Sequence, residues 1–548
     1  MRRIANVNRR ARLLGPLAVL VAVVLAVSAC GSSSSNSSGA NGEAGVNVGK
    51  PQSGGSLTVL EDSGFAGGYA SGLDPATNTT GGANLPQMQS IFGGLFLLEA
   101  DSKGQNAKIV PNQAQSYSFS DGGRTMTIKL RPGIKFSDGT PFDAQTVVWN
   151  MLRDSKSPCS CAPVWQLTKK NPIVAKGNLT VVIHMTQPNG SLISNFPISN
   201  VNWIASKSAF EKMGAAKFKT APVGAGPFTV VSDKLSSELV LKKNPNYFKK
   251  GLPYLDNLTF KSVGGDQPAY QALEAGQADA YEGMSTVPLI DQAQKNSKFV
   301  VTQEPATSPY VVQLNTMKAP FNNIKAREAI YYATDFSAIS KGLFKQDLPV
   351  SGSFVGPGGL FYHKSVPGYR SYDLAKAKQL VKELGGLTVQ LGTTNIYTAN
   401  QVMTALQTQW QKAGIKVTTH SYALNQVIQQ FTSGSWNAML QTAGAWDPAA
   451  GVGVAFRFAS TSPFTGVKDP KLDQYFNEAG ATTDPTKRDQ DYLKAAEYIA
   501  QKAYAPFGFA FSPANIAVKG VHGPGLTTPI PGLAVNTQVL WDQVWRAQ

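Results

Sequence analysis

Apolar and polar residues separate sharply over the first part of the chain. An almost unbroken apolar stretch runs from Leu13 to Val27, and five arginines precede it: Arg2, Arg3, Arg9, Arg10 and Arg12. A basic head followed by a short apolar stretch is typical of a secretory signal peptide. The stretch is too short for a membrane span, which needs about 20 apolar residues. Gly, Ser and Asn dominate the next segment. We predict a signal peptide over residues 1–29 and a flexible tether over residues 30–54.

Beyond the tether, the apolar residues follow strand and helix periods. Alternation predicts a first strand over residues 55–60 and a hairpin across residues 117–130, with a tight Gly-Gly turn at its tip. Helical spacing predicts one helix that Asp143 caps and another that opens at Asp266.

The clearest supersecondary pattern lies late in the chain. We predict a strand over residues 387–391, a helix that Asn400 caps and Gly414 ends, and a further strand over residues 415–417. Strand, helix and strand in this order indicate a right-handed parallel unit. Sheets of this kind bind ligands beyond the carboxyl ends of their strands. We therefore expect an α/β multidomain protein.

The positive charge of the chain changes this picture little. The formal net charge is +16 over 548 residues, and the signal arginines leave with the signal peptide. The lysines are scattered and form no basic stripe interleaved with aromatic residues, so we predict no nucleic-acid partner. Attraction to anionic envelope polymers or lipid headgroups is the simpler explanation for the positive charge.

The end of the apolar stretch carries a lipidation signal. Val27-Ser28-Ala29-Cys30 resembles a bacterial lipobox. This resemblance implies cleavage before Cys30 and acylation of its thiol and its new amino group. Several lipid chains hold a protein stably at a membrane. We therefore expect a lipid-anchored protein on the extracytoplasmic face of the cell membrane.

The two remaining cysteines, Cys159 and Cys161, leave two alternatives open. Outside the cytoplasm they could form one small-ring disulfide, or they could remain free thiols because so short a ring is strained. We predict no metal site, since two thiolates lack further ligands nearby and the four histidines are far apart in sequence.

Catalytic signatures are missing from the sequence. It contains no G-x-S-x-G elbow, Walker phosphate loop, H-E-x-x-H or G-x-G-x-x-G motif. We therefore predict a protein that is not an enzyme and that uses no cofactor. An extracellular hydrolase stays as the alternative from a different functional class.

A segment that follows the predicted hairpin carries a specific family resemblance. Residues 130–141, LRPGIKFSDGTP, resemble the signature of the family 5 extracellular solute-binding proteins of ABC importers, the oligopeptide- and dipeptide-binding type. Further matches follow in the family's order, at residues 73–75, 91–95, 222–228, 244–248, 315–316, 320–321, 326–329, 372–377 and 469–473. The resemblance covers the chain from Gly55 to nearly its end.

The resemblance implies a periplasmic-binding-protein-like α/β fold of two lobes with a third, inserted domain. Domain I would comprise residues 55–83, 221–311 and 515–548, domain II residues 84–220, and domain III residues 312–514. Two crossings near Gln313 and Phe511 would form a hinge, and ligand would be buried between domains I and III when the lobes close.

Most of the matching motifs also have a structural interpretation. Glycines in the stretch Gly224-Ala225-Gly226-Pro227 let the backbone pass close to a neighbour. We expect such motifs to shape the scaffold rather than to contact ligand.

The same resemblance implies a peptide ligand, whose α-ammonium meets a carboxylate from a Trp-rich loop. The matching loop here is Gly444-Ala445-Trp446-Asp447-Pro448, which is shorter than the family's pattern. An ionised Asp in a closed cleft needs a cationic partner. The predicted ligand-binding residues are Asp447, Trp446, Trp436, Tyr422 and Asn315. Alternatively, Asp447 starts a turn with Pro448 and Trp446 packs in the core.

Other solutes remain open as ligands of the same fold. Trp436, Trp446, Tyr422 and Phe456 could stack on an oligosaccharide. A metal chelate is a further alternative, although the scarcity of histidines argues against nickel or haem. The expected partners are a peptide or other small solute and the membrane permease subunits of an importer, and we expect the chain to be a monomer.

Overall fold

The computed structural model describes residues 49–157, 166–450, 453–531 and 538–547. The predicted signal peptide, Cys30, Cys159 and Cys161 lie outside these residues. The described part is mixed α/β, as the alternation of strand and helix periods predicts.

The strands of the described residues are, in chain order, β1 (Ser56–Asp62), β2 (Phe96–Glu99), β3 (Lys108–Pro111), β4 (Ala114–Ser120), β5 (Thr125–Leu130), β6 (Ile173–Ala175), β7 (Thr180–His184), β8 (Phe228–Lys234), β9 (Glu238–Lys243), β10 (Asn257–Val263), β11 (Ala280–Met284), β12 (Phe299–Gln303), β13 (Pro309–Leu314), β14 (Leu387–Thr394), β15 (Ile415–Tyr422), β16 (Ala438–Thr442), β17 (Phe507–Ala510), β18 (Ala514–Val518), β19 (Val521–His522) and β20 (Trp545–Arg546).

The α-helices of the same residues are α1 (Leu85–Phe92), α2 (Ala144–Asp154), α3 (Lys207–Met213), α4 (Ala215–Phe218), α5 (Asp266–Glu274), α6 (Val287–Lys295), α7 (Ile324–Ala333), α8 (Phe336–Ile339), α9 (Leu374–Glu383), α10 (Tyr397–Lys412), α11 (Leu424–Ser433), α12 (Val454–Phe458), α13 (Pro470–Ala481) and α14 (Pro485–Gln501). The helix that opens at Asp266 is confirmed. The cap at Asp143 is also confirmed, since its carboxylate accepts a hydrogen bond from the backbone N–H of Thr146 at 2.9 Å.

A seven-stranded sheet collects strands from three separate stretches of the chain. Its order is β12-β18-β11-β1-β10-β9-β8, and β1 is parallel to both of its neighbours. Side chains of β1 alternate between two cores: Leu57 and Val59 pack into one, and Leu60 packs with Tyr281 into the other. Apolar residues on both faces explain why the sheet is covered on both sides.

A five-stranded sheet contains the predicted strand–helix–strand unit. Its order is β15-β14-β16-β13-β17, and β14 is parallel to β15 as predicted. The predicted cap at Asn400 is wrong, because α10 already begins at Tyr397. The Asn400 side chain instead donates to Asn395 Oδ1 at 3.0 Å, so it ties the first turn of the helix to the end of the strand before it.

A four-stranded antiparallel sheet contains the predicted hairpin. Its order is β4-β5-β7-β6, and β4 and β5 pair across a turn at Asp121–Gly123. Gly122 and Gly123 both have positive φ there, as the turn requires. Helix α2 packs on this sheet through Val147 and Met151.

The chain passes between the seven-stranded and the five-stranded sheet twice. It leaves after Gln303 and enters β13 at Pro309, and it returns between Ala510 and Ala514. Gln303 pairs with Ala514 and Pro309 pairs with Ala510, so the two passages run side by side. The return passage contains Phe511 as predicted. Gln313, near which the first crossing is predicted, lies within β13 and after the outgoing passage.

The glycines of the motif 224–227 let two backbone segments touch. A Cβ on Gly224 would lie 2.3 Å from the backbone oxygen of Ile91, and one on Gly226 would lie 2.6 Å from the backbone of the same residue. Neither position has room for a side chain. The structural interpretation of this motif is therefore confirmed.

Candidate functional site

Both passages join the two sheets at the edges where the parallel strands end. In the seven-stranded sheet the outgoing passage follows β12, which runs in the same direction as β11 and β1. In the five-stranded sheet Tyr310, at the start of β13, pairs with Thr442 at the end of β16. Open α/β sheets bind ligands beyond the carboxyl ends of their strands. The region where these two carboxyl edges meet is therefore the candidate site.

Three glutamates gather at the carboxyl edge of the seven-stranded sheet. Glu61 and Glu282 directly follow the paired residues Leu60 and Tyr281 on the neighbouring parallel strands β1 and β11. Such strands lie about 4.8 Å apart, so the two carboxylates are neighbours. Glu304 follows β12 at the start of the outgoing passage. We call Glu61, Glu282 and Glu304 the acidic cluster.

Burial makes ionisation of this cluster unfavourable. Glu61 is only 1% exposed, and burial raises its pKa from the ordinary value of 4.5 to about 8, although a hydrogen bond from Gln87 acts in the opposite direction. The pKa of Glu282 is raised well above its ordinary value, first by burial and then by the like charges of Glu61 and Glu304. Removal from water therefore raises the pKa of both carboxyl groups, and repulsion by like charges adds to this effect for Glu282.

A glutamine from α1 holds Glu61 of the cluster in place. The side chain of Gln87 is fully buried, and its Nε2 donates to Glu61 Oε2 and, at 3.3 Å, to the backbone oxygen of Ala66. In each of Glu61, Gln87 and Glu282, the buried Oε1 has no hydrogen-bond donor among the described residues. Buried oxygens of this kind are normally hydrogen-bonded.

Asp447, on the loop that follows β16, meets partners within the chain. Its carboxylate receives two hydrogen bonds from the guanidinium of Arg488, at 2.7 and 3.0 Å, and one from the hydroxyl of Ser194 at 2.5 Å. The residue is 2% exposed. Burial disfavours the charge of Arg488, but the Asp447 carboxylate and Tyr492 together outweigh this effect and raise the pKa of the guanidinium. The predicted ligand contact of Asp447 stays a prediction.

Trp446 packs against the other lobe. Its side chain is 7% exposed and belongs to the hydrophobic core around Leu57 and Val59 of β1. Its backbone oxygen accepts a hydrogen bond from the N–H of Leu360 at 2.7 Å. The loop therefore joins the five-stranded sheet to the core of the seven-stranded one.

The other three predicted ligand residues lie at two different edges of the five-stranded sheet. Tyr422 ends β15 at the carboxyl edge, where its ring stacks on His420 with centroids 5.8 Å apart. Trp436 precedes β16 and Asn315 follows β13, which places both at the opposite edge, where the Asn315 amide donates to the Trp436 oxygen at 3.0 Å. The structure does not bring these two together with Trp446 and Asp447.

The acidic cluster and Gln87 escaped the sequence analysis. Glu61 follows Val59 and Leu60 near the end of β1, and a carboxylate directly after such apolar residues is the local signal that could have marked it. The contact with Glu282 depends on the order of strands in the sheet, which no local pattern specifies. Among the described residues, no group of three His, Cys, Asp or Glu side chains is arranged to hold a metal ion.

These sheets, joined by two adjacent passages, define the two-lobed α/β class of periplasmic binding proteins, and solved structures share the arrangement. The ABC transporter-associated periplasmic binding protein DppA from Helicobacter pylori, in complex with the peptide STSA, superposes with a TM-score of 0.77 at 21% identity, over 91% of this chain and 99% of that one. A dipeptide binding protein from Pseudoalteromonas sp. SM9913, in complex with Met-Leu, gives 0.76 at 19% identity, over 88% and 100%.

The sequence comparisons specify the family. The model of the bacterial extracellular solute-binding proteins, family 5 Middle, matches residues 108–463. The glutathione-binding protein GsiB of Escherichia coli (strain K12) is 29% identical over 444 residues, which cover 76% of this chain and 82% of the relative. The chain belongs to family 5 of the bacterial extracellular solute-binding proteins, and it is a substrate-binding component of an ABC importer.

The relatives found are binding proteins rather than enzymes. Among the described residues, no helix combines the length and the apolar character that crossing a membrane requires.

We predict that Asp447→Asn destabilises the ligand-free protein. The substitution leaves the buried Arg488 charge without its counter-charge, which costs about 3–5 kcal/mol in the free energy of unfolding. Asp489→Asn is the matched control, because Asp489 lies on the same helix, α14, and pairs with His363 at the surface. Chemical denaturation of both variants measures the difference, and the control should lose less than about 1 kcal/mol. An Asp447→Asn protein with unchanged ligand-free stability and weakened peptide binding would instead favour the ligand role.

We predict that the ligand-free protein loses stability as the pH rises from about 5 to about 8. Glu61 binds its proton more tightly in the folded state than in the unfolded state, so the stability it contributes at low pH is lost as the pH rises toward its folded pKa of about 8. Glu61→Gln should flatten this dependence in part, since Glu282 still titrates. Thermal unfolding across the pH range provides the measurement, with Asp291→Asn on the exposed side of α6 as control. Equal slopes in the wild type and Glu61→Gln would contradict the assignment.

Proposed function

We propose that this protein captures short peptides between the carboxyl edges of its two large sheets and delivers them to a membrane permease. The observation that carries the proposal is the pair of adjacent passages, which joins the sheets at the edges where such folds bind ligand. The likeness to a glutathione-binding protein over most of the chain supports a peptide as ligand.

The same passages support capture by closure of the lobes. Only short segments, residues 304–308 and 511–513, separate the paired strands of one sheet from those of the other. A few residues that absorb backbone rotation are sufficient for hinge motion. A ligand that contacts both edges binds the closed form more tightly and so shifts the population toward it.

We predict that a bound peptide compacts the protein. Met-Leu, the peptide STSA and glutathione are tested for a rise in melting temperature, since a ligand that binds only the folded state stabilises it. Small-angle scattering at saturation with the stabilising peptide should then show a smaller radius of gyration. An unchanged radius would contradict closure, and stabilisation by oligosaccharides or metal chelates alone would replace the peptide by those solutes.

Recovery of the bound peptide separates a binder from a hydrolase. Mass spectrometry after long incubation should detect the intact peptide, because a binding protein releases its ligand without cleaving it. Turnover of any of the three peptides would favour the hydrolase alternative instead.

We further propose that the mature chain is anchored through lipid on Cys30. In its native host, Cys30→Ser should appear in the medium or remain uncleaved, whereas the matched control Cys159→Ser should stay with the membrane fraction. Mass spectrometry of the mature N-terminus measures the acyl groups. An intact, unmodified peptide that spans residues 28–31 would contradict the anchor.

A further inference from the structure

Glu61 and Glu282 of the acidic cluster have no basic partner among the described residues. No basic side chain contributes to the pKa of Glu61 or of Glu282, and no ion pair joins either of them to a Lys, Arg or His of the described residues. The residues after Cys30 that the structure does not describe contain no Lys, Arg or His at all. Among the described residues and the undescribed ones that follow Cys30, no side chain therefore supplies a counter-charge to these two carboxylates.

The free acceptors around the cluster indicate which cation fits. Glu61 Oε1, Gln87 Oε1 and Glu282 Oε1 are buried and have no donor among the described residues. Gln87 is not a member of the acidic cluster, yet its amide is held against Glu61 by a hydrogen bond, which places its free oxygen beside the carboxylates. An ammonium group has three N–H donors and no acceptor. A metal ion fits less well, because the described residues contain no suitable group of three ligands.

We propose that the acidic cluster binds the ammonium group of the captured ligand, with Glu61, Glu282 and Gln87 as its acceptors. The charge-assisted hydrogen bonds to the two carboxylates are the stronger part of the contact. Glu304 adds negative potential from the outgoing passage. The inference rests on the proposed function in one respect: the ligand has to reach the carboxyl edge of the seven-stranded sheet.

The surroundings of Asp447 differ from those of Glu61 and Glu282, and this difference supports the assignment. That carboxylate already accepts hydrogen bonds from Arg488 and Ser194, so an ammonium there would compete with a buried ion pair. Glu61 and Glu282 have no such competitor. The ammonium therefore belongs to the seven-stranded sheet and not to the loop after β16.

A probe without any peptide tests the site directly. Methylammonium chloride and tetramethylammonium chloride carry the same charge, but only the first has N–H donors. At equal ionic strength and near pH 8, where Glu61 begins to ionise, methylammonium should raise the melting temperature of the wild type more than tetramethylammonium does. Glu61→Gln and Glu282→Gln, which keep the shape of the side chains, should each abolish the difference. Asp291→Asn, an exposed carboxylate on α6, should retain it.

A second experiment compares the binding of one peptide with and without its free amino group. Calorimetry compares the peptide STSA with its N-acetylated form on the wild type, Glu61→Gln and Glu282→Gln. Loss of the charge on either side should weaken binding about ten- to a hundred-fold, and the two losses should not add, because they remove the same contact.

The two arms separate the cation site from the proposed peptide function. Equal stabilisation by the two salts, or a methylammonium effect that survives in Glu61→Gln and Glu282→Gln, overturns the cation site whatever the peptides do. Additive losses in the calorimetric cycle overturn it as well. A methylammonium effect that depends on both glutamates, with no binding of any peptide, supports the cation site and sets aside the peptide function.

Discussion

The paired passages between the two large sheets are the constraint on which the rest of the structure depends. Because Gln303 pairs with Ala514 and Pro309 with Ala510, each passage is fixed at both ends by the strand beside it. Two adjacent connections restrict the relative rotation of the sheets far more than one connection would. They also bring the carboxyl edges of both sheets to one place, which decides where the acidic cluster and the loop after β16 lie.

Charge is distributed unequally across the region where the carboxyl edges of the two large sheets meet. On the five-stranded side, Asp447 and Arg488 neutralise each other within the chain. On the seven-stranded side, Glu61 is buried and Glu282 is half-buried, neither is joined to a basic side chain of the described residues, and burial raises the pKa of both. Burying an unpaired charge is costly, whereas burying one with a well-placed partner is not. The chain therefore leaves one half of an ion pair for its ligand to complete.

Local signals in the sequence predict the local parts of this structure well. The parallel unit of β14 and β15, the hairpin of β4 and β5 and the cap at Asp143 all follow from periodicity and turn chemistry over a few residues. The wrong prediction of a helix cap at Asn400 also comes from a local signal. An asparagine that can cap a helix can also lie in the first turn of the helix and bond back to the residues before it, as Asn400 does with Asn395. The acidic cluster is different, since Glu61, Glu282 and Glu304 come from distant stretches and meet only through the order of strands in the sheet.

Two hydrogen bonds join the stretch around Ser194 to the part of the chain that carries the five-stranded sheet. Ser194 lies in a stretch that precedes β8, yet it donates to Asp447 on the loop after β16, and nearby the N–H of Ser191 donates to the oxygen of Gly480. Hinge motion that separates the lobes, as proposed above, would break both bonds, so they favour the closed arrangement whether or not a ligand occupies the acidic cluster.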